Sequence, residues 1–313
     1  MEEIQGLVQE VRSRLAYCVD GWKPKHPFDF FDLRRFEFMK NSYKGFDHFW
    51  WFEDHRYAMM SSLVYLYIVV LLAPACLGNG SKPMKVKWLI VPYNFGLVAF
   101  NAYIFHEFLA AGWATNYNLG CVNARPYSND EQSNRMANAS FLYFISKHIE
   151  FMDTFLFIVM QKWRNVSTLH VFHHSSMAYA TWWTTKFAPT GYGTFGPMLN
   201  SFIHVLMYSY YGLAALGPEL RPYLWWKKYL TSLQMIQFCA VLAHMTNILC
   251  NHPGCQYPIG LNILQLVLCG IFLGMFAKFY RKTYETKPTA ISSEKNALGT
   301  PTYAEIVQAK KAQ

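Results

Sequence analysis

Charged residues are scarce in this chain of 313 residues: they make up 15% of it, against about a quarter of an ordinary soluble protein. Hydrophobic residues make up 53% and aromatic residues 18%, which favours a membrane protein with Trp and Tyr at the lipid–water boundary. A net charge of +9 suggests nucleic-acid binding in a soluble chain. Here Lys and Arg fall between apolar runs, which is typical of membrane topology, so no nucleic-acid partner is expected.

The chain also has few paired cysteines and few histidine clusters, which limits the metal and disulfide sites that it can form. The seven cysteines include no CxxC pair, so neither a zinc knuckle nor a dense disulfide scaffold is indicated. Only one cluster of paired histidines occurs, whereas a diiron oxygenase of membranes needs about eight histidines from three such boxes. The diiron interpretation therefore fails on ligand number. A zinc site formed by His170, His174 and a carboxylate is not excluded.

Seven segments are apolar over about 20 residues, the length that a membrane-spanning helix needs. They cover roughly residues 57–77, 88–112, 136–160, 168–187, 194–214, 230–250 and 260–280. Polar residues make the third, fourth and fifth weak by hydropathy, so we expect these three to enclose something polar. The sequence thus predicts an all-α integral membrane protein with seven transmembrane helices over residues 57–285, preceded by an interfacial, lumenal segment in residues 1–56.

Lys and Arg concentrate in alternate loops, which predicts the orientation. They follow the first, third, fifth and seventh segments, as Lys82, Lys85, Lys87, Lys162, Arg164, Arg221, Lys227, Lys228, Lys278, Arg281 and Lys282. Because positive loops prefer the cytoplasm, residues 286–313 are expected to form a cytosolic tail. Its Lys310 and Lys311 resemble the dilysine retrieval signal of the endoplasmic reticulum. Cys121 and Cys255 fall in far-side loops, where an oxidising lumen permits a disulfide.

Polar side chains inside these segments are costly at membrane depth, which indicates a function. They are Lys147, Glu150 and Asp153 in the third segment, Asn200 and His204 in the fifth, and Gln234 and Gln237 in the sixth. Opposite charges three residues apart pair along one helix face, so a structural ion pair is the alternative for the first group. Hydrogen bonding between helices is the alternative for the glutamines.

The fourth segment opens with the run LHVFHH at residues 169–174. On a helix, His170, His173 and His174 fall on adjacent turns of one face. We interpret the cluster as a reaction or metal site, with histidines at the water interface as the alternative. Neutral imidazole acts as a general base or a nucleophile near pH 7. No cysteine lies close in sequence, which argues against a thiolate condensing enzyme.

A cavity between apolar helices would hold a long acyl chain. Lys227 and Lys228, with Lys162 and Arg164, lie at the cytoplasmic mouths of the segments and would suit phosphate groups. The positive-inside preference alone also explains these four cations.

Four motifs, in order and at family-like spacing, resemble those of the ELO family of very-long-chain fatty-acid elongases. They are KxxExxDT at residues 147–154, LHVFHH at 169–174, NxxxHxxMYxYY at 200–211 and TxxQxxQF at 231–238. The histidine motif alone would be weak, whereas the four together are specific. The resemblance covers about residues 57–285.

This resemblance implies a seven-helix enzyme of the endoplasmic reticulum, with six helices forming an inverted barrel around an acyl tunnel. The implied reaction is decarboxylative condensation of an acyl-CoA with malonyl-CoA, without cofactor or metal. His173 would take the acyl group as an acyl-imidazole. The residues implied to assist decarboxylation or orient imidazoles are His204, His170, His174, Asp153 and Glu150. The residues implied to contact substrate are Lys147, Asn200, Tyr208, Tyr211, Gln234, Gln237, Lys227 and Lys228.

The implied partners are acyl-CoA, malonyl-CoA, the bilayer and the other enzymes of the elongation cycle, and a homodimer stays open. Residues 200–213 and 221–228 resemble the polyunsaturated and very-long-chain branch, so a polyunsaturated acyl-CoA is the expected substrate. Chain length is expected to depend on side chains near the far-side helix ends, around Lys186 and residues 244–250. Two other classes stay open: a metal-dependent membrane enzyme that modifies lipids, and a non-catalytic membrane protein that binds lipids.

Overall fold

The structure, a computed structural model, describes residues 42–78, 81–124, 130–252 and 255–285, together with residues 5, 6 and 9. Within these residues every regular element is helical. Apart from residues 5, 6 and 9, the predicted interfacial segment up to residue 41 lies outside the described residues. The predicted dilysine tail also lies outside them.

Eight helices follow a short helical turn at Trp50–Glu53 in the described part of the chain. Their bounds are His55–Leu77 (α1), Lys87–Trp113 (α2), Glu131–Ile149 (α3), Phe151–Val159 (α4), Thr168–Phe187 (α5), Phe195–Leu216 (α6), Lys227–Asn251 (α7) and Ile259–Glu285 (α8). Each of the seven predicted segments is therefore helical. The third is divided at Glu150 into α3 and α4.

Four of these helices are long and apolar enough to cross a membrane by length and composition: α1, α2, α7 and α8. The helices α3 to α6 fall short of that criterion, in agreement with the expected weakness of the third, fourth and fifth segments. The all-helical membrane class is thus confirmed. The count of seven spans stays a prediction.

The turn between α4 and α5 fixes where the histidine run begins. Gln161 has a φ of 59°, the left-handed conformation with which helices commonly end. Its side-chain amide donates to the carbonyl of Leu77 (3.1 Å) and its side-chain oxygen accepts from the indole of Trp163 (2.9 Å). Ser167 then starts α5, because its hydroxyl oxygen accepts from the backbone N–H of His170 (3.2 Å).

The helices run alternately between two ends of the bundle. Cys121 and Cys255 form a disulfide with their Cα atoms 5.7 Å apart. We call the end formed by their loops and by residues 188–194 the disulfide end. The opposite end, which we call the basic end, carries Lys162, Arg164, Lys227 and Lys228. Helix α5 runs from the basic end to the disulfide end, α6 runs back to the basic end, and α7 runs to the disulfide end again.

Three loops close the disulfide end. The backbone N–H of Tyr192 donates to the carbonyl of Val122 (2.9 Å), and that of Gln256 to the side-chain oxygen of Asn123 (2.8 Å). Gly191 has a φ of 82°, and a Cβ there would lie 2.8 Å from the carbonyl oxygen of Val122. Only glycine fits such a contact in this conformation, so the loops form a tightly packed floor.

Helix α5 lies at the centre, packed against α1, α3 and α8, while α2 packs along α6 and α7 along α8. The buried indole of Trp182 donates to the carbonyl of Phe52 (3.0 Å). Thr185 donates to the carbonyl of Ser140 on α3 (3.2 Å). These bonds hold the last turns of α5 in place, and with them the histidines near its start.

Candidate active site

A buried ion pair stands at the break between α3 and α4. Lys147 Nζ lies 2.9 Å from Glu150 Oε1, and both side chains are 1% exposed. The ammonium group also donates to Asn200 Oδ1 on α6 (3.0 Å), and His204 Nδ1 lies 3.0 Å from Glu150 Oε1. A buried ion pair offsets its desolvation only when further hydrogen bonds satisfy it, as these do. One charged cluster thus joins α3 to α6.

This cluster fixes two neighbouring side chains. Tyr143 donates to Asn200 Oδ1 (2.8 Å), so that oxygen accepts two hydrogen bonds and the orientation of the amide is defined. Two groups approach His204 Nδ1: the accepting carboxylate of Glu150 at 3.0 Å and the ammonium group of Lys147 at 3.4 Å. The shorter contact, with an oxygen that only accepts, favours a neutral His204 with its proton on Nδ1. The basic lone pair is then on Nε2.

Asp153 is held by two tyrosines. Tyr208 of α6 donates to Asp153 Oδ2 and Tyr93 of α2 to Asp153 Oδ1, each at 2.7 Å. The carboxylate therefore links α4 to two further helices. Its oxygens are occupied by phenol groups, where the resemblance led us to expect an imidazole.

A hydrogen-bonded relay ends at the histidine run. The hydroxyl groups of Tyr65 and Thr154 lie 2.8 Å apart, and Thr154 Oγ1 lies 2.8 Å from His170 Nε2. The ring centres of His170 and His174 are 4.2 Å apart, as expected for residues one turn apart on one face. The relay fixes the ring of His170 from α1 and α4.

His173 faces a cavity with about 630 Å³ of empty space, part of which is open to solvent. Its ring centre lies 5.0 Å from that of Phe272 on α8. Asn200 of α6 and Gln237 of α7 stand on the same wall, which is otherwise mostly apolar and comes largely from α5, α6, α7 and α8. A nucleophilic or basic nitrogen thus adjoins a volume suited to an apolar ligand.

Six of the eight predicted substrate contacts are absent from the cavity wall: Lys147, Tyr208, Tyr211, Gln234, Lys227 and Lys228. The amide of Gln234 donates to Met207 Sδ (3.8 Å), which is hydrogen bonding between helices. Tyr211 is 38% exposed. Lys227 is exposed at the start of α7, and Lys228 lies next to it at the basic end.

The zinc alternative needs a carboxylate beside His170 and His174. Glu150 is engaged by Lys147 and His204 instead, and Asp153 by tyrosines. Over the described ranges, no group of three or more His, Cys, Asp or Glu side chains is arranged to hold a metal ion. That donor set is therefore not assembled in this part of the chain.

The model of the ELO family, described as the GNS1/SUR4 family, matches residues 50–292. The chain belongs to this family. Very long chain fatty acid elongase 7 of Drosophila melanogaster is 42% identical over 71% of this chain and 67% of its own length. Very long chain fatty acid elongase 1 of Homo sapiens is 40% identical over 78% of this chain and 86% of its own. Very long chain fatty acid elongase 5 of Tachysurus fulvidraco is 36% identical over 78% and 81%. The ELO resemblance of the four motifs is confirmed.

Three tyrosines of the site lie outside the four sequence motifs: Tyr65, Tyr93 and Tyr143. Each lies within or next to an apolar run, where aromatic residues are common. The sequence does indicate weakly that these tyrosines matter, because a tyrosine inside an apolar span needs a hydrogen-bond partner for its hydroxyl group. The sequence does not indicate which residue bonds to each hydroxyl group.

Proposed function

We propose that this ELO-family protein is the condensing enzyme of fatty-acid elongation. It joins a long-chain acyl-CoA to malonyl-CoA, releases CO2 and CoA, and yields a 3-ketoacyl-CoA two carbons longer. The observation that carries the proposal is the position of His173, which faces a mostly apolar cavity beside Asn200 and Gln237. The relatives named very long chain fatty acid elongases support the same reaction.

The first half-reaction uses His173 as the nucleophile. A ring nitrogen attacks the thioester carbonyl carbon, the C–S bond breaks, and the CoA thiolate takes the imidazole proton and leaves as the thiol. The acyl group is then held as an acyl-imidazole. Its hydrocarbon chain occupies the apolar part of the cavity.

The second half-reaction forms the new C–C bond. Malonyl-CoA loses CO2, and the resulting enolate carbon attacks the acyl-imidazole. The C–N bond then breaks, and one proton restores neutral His173. Asn200 contributes here because its oxygen is fixed by Tyr143 and Lys147, which leaves its NH2 group to donate to a developing oxyanion. His204, through the lone pair of Nε2, and His170 and His174 of the histidine motif assist the decarboxylation.

The proposal also includes the arrangement of the protein in the membrane. Seven helices cross the endoplasmic-reticulum membrane and six of them form an inverted barrel around the cavity, with the C-terminus in the cytosol. The disulfide between Cys121 and Cys255 supports a lumenal disulfide end, because disulfides persist in oxidising compartments. The basic end then faces the cytosol, where Lys227 and Lys228 meet the phosphates of CoA. A polyunsaturated acyl chain is the proposed substrate, no metal or cofactor takes part, and other enzymes of the cycle are the proposed partners.

The test uses the purified full-length protein with malonyl-CoA and a panel of saturated and polyunsaturated acyl-CoAs, with and without chelator. We expect CO2 release and elongated products that are insensitive to chelator. No CO2 release with any acyl-CoA would contradict the proposal, and loss of activity with chelator would support the metal-dependent alternative.

His173→Ala should abolish both condensation and the acylated protein seen by intact mass. Because the nucleophile is removed, we expect the rate to fall by at least about a thousandfold. The matched control is His106→Ala, because the His106 side chain is 66% exposed on α2. It should behave as the unmodified protein. An active, acylated His173→Ala protein would remove His173 from the nucleophilic role.

A further inference from the structure

The cavity extends from His173, its reactive end, toward the disulfide end. We call this second end the closed end, because the loops of the disulfide end pack beneath it. On α5 the cavity wall runs from His173 to Thr184, a separation of eleven residues or about 16 Å along a helix. Because α6 runs antiparallel to α5, its wall residue Asn200 lies toward the His173 level and Gly196 toward the Thr184 level. On α7, Val241 lies farther from the basic end than Gln237. The closed end is therefore formed around Thr184, Gly196 and Val241.

The residues that we expected to limit chain length lie elsewhere. Lys186 pairs with Asp47, and its ammonium group lies 5.5 Å from the ring centre of Phe52. Residues 244–250 are absent from the cavity wall, and the ring of His244 packs against Phe195. The residues that line the cavity toward the disulfide end are Thr184, Gly196 and Val241 instead.

The floor beneath the closed end is closely packed. Gln265, a wall residue on α8, donates its amide hydrogen to the carbonyl of Gly193 (3.2 Å). A Cβ at Gly193 would overlap the hydroxyl group of Tyr257, so no space separates this turn from the loop that follows α7. The disulfide at Cys255 holds the same loop. A chain that reaches the floor has no room to push farther.

The absence of a side chain at Gly196 leaves space in the cavity just above this floor. Gly196 is the second residue of α6, and a Cβ built there would lie 3.6 Å and 3.7 Å from the two methyl carbons of Val241, ordinary van der Waals contact. Alanine therefore fits without displacing Val241. Both residues line the cavity, so a longer side chain at this position takes up the space between them.

We propose that Gly196 is a specificity-determining residue: its missing side chain leaves room at the closed end for the methyl end of a long acyl chain. The inference rests on the proposed function, because it assumes that the chain extends from His173 toward the floor. A side chain at this position shortens the accepted chain and leaves the reactive end, at His173 and Asn200, unchanged.

The experiment compares Gly196→Leu, Gly196→Ala and the unmodified full-length protein on acyl-CoAs of increasing length. For Gly196→Leu we expect kcat/KM for the longest accepted chain to fall by at least about tenfold relative to the shortest, the scale of excluding a methylene from an apolar pocket. Gly196→Ala should shift the profile in the same direction and less. Leucine has a higher helix propensity than glycine, so α6 should not be weakened at this position.

Gly270→Leu is the matched control. Gly270 lies on α8, it is exposed, and a Cβ there meets no atom within 4 Å. Its chain-length profile should match that of the unmodified protein.

A Gly196→Leu profile that coincides with the Gly270→Leu profile overturns the inference and leaves the proposed function standing. If Gly196→Leu is inactive on every chain, the Gly196→Ala profile decides: a shift to shorter chains supports the inference and an unshifted profile overturns it. If the unmodified protein condenses none of the chains, the proposed function fails, and the inference with it.

Discussion

Helices α3 and α8 differ in what holds them in the protein. Helix α8 is apolar enough to cross a membrane, and it exposes Val267 and Ile271 on its outer face. Helix α3 buries Lys147, Ser140 and Ser146. The charge of Lys147 is satisfied by Glu150, at the break after α3, and by Asn200 on α6. Burial of apolar area is non-directional and tolerates exchange of one apolar residue for another. A buried charge depends on specific partner atoms, so the two regions should respond very differently to substitution.

The largest loss of stability is expected when one member of the buried ion pair is removed. Lys147→Met leaves Glu150 buried without its cation, and such losses cost about 3–5 kcal/mol of folding free energy. Thermal or denaturant unfolding of the purified protein in detergent measures the loss. Lys85→Met is the control, because Lys85 is exposed. Equal stability of the two variants would contradict a paired charge at Lys147.

Removing the disulfide measures how much the loops of the disulfide end contribute to stability. Replacing Cys121 and Cys255 together with Ala should lower the free energy of unfolding by about 2–5 kcal/mol. Reductant should then lower the melting temperature of the unmodified protein and leave that of the double variant unchanged. Cys76→Ala, at an exposed free cysteine, is the control and should retain sensitivity to reductant.

A smaller loss is expected where a neutral hydroxyl group meets a carboxylate. Tyr93→Phe removes one of the two hydrogen bonds to Asp153, and hydrogen bonds to charged groups contribute about 1.5–3 kcal/mol. Tyr103→Phe on the same helix is the control, since Tyr103 is 53% exposed. Unfolding of both variants gives the comparison. Indistinguishable curves would show that Tyr93 does not support the carboxylate.

The smallest expected effect concerns the relay to His170. Tyr65→Phe keeps the stacking on Phe151 (ring centres 4.3 Å apart) and removes only the hydroxyl group that meets Thr154. We expect a loss of about 0.5–1.5 kcal/mol in stability, and a lower kcat with KM unchanged, because the ring of His170 loses its support. Tyr67→Phe, at an exposed position on α1, should change neither. A change in KM alone would contradict a positioning role.

Residues close together in sequence were predictable because helix geometry fixes their relation. The spacing of Lys147 and Glu150 predicted a pair on one face, and the structure contains it. The two glutamines show where such reasoning stops. Gln237 stands on the cavity wall, whereas Gln234, one turn earlier, contacts Met207. Both lie on one stripe, and only the neighbouring helices distinguish them.

The helical segments, the weak hydropathy of the third to fifth, and the four motifs that identify the ELO family can all be read from the amino-acid sequence. Those features depend on local periodicity and on residue type. Tertiary packing was needed to show that Tyr93 holds Asp153, that Tyr65 reaches His170 through Thr154, and that Gly196 and Val241 meet on the cavity wall. These contacts join residues on different helices, and no local preference of the chain selects one distant partner over another. Packing selects it, because each buried polar group must meet a partner that the assembled bundle brings within hydrogen-bond distance.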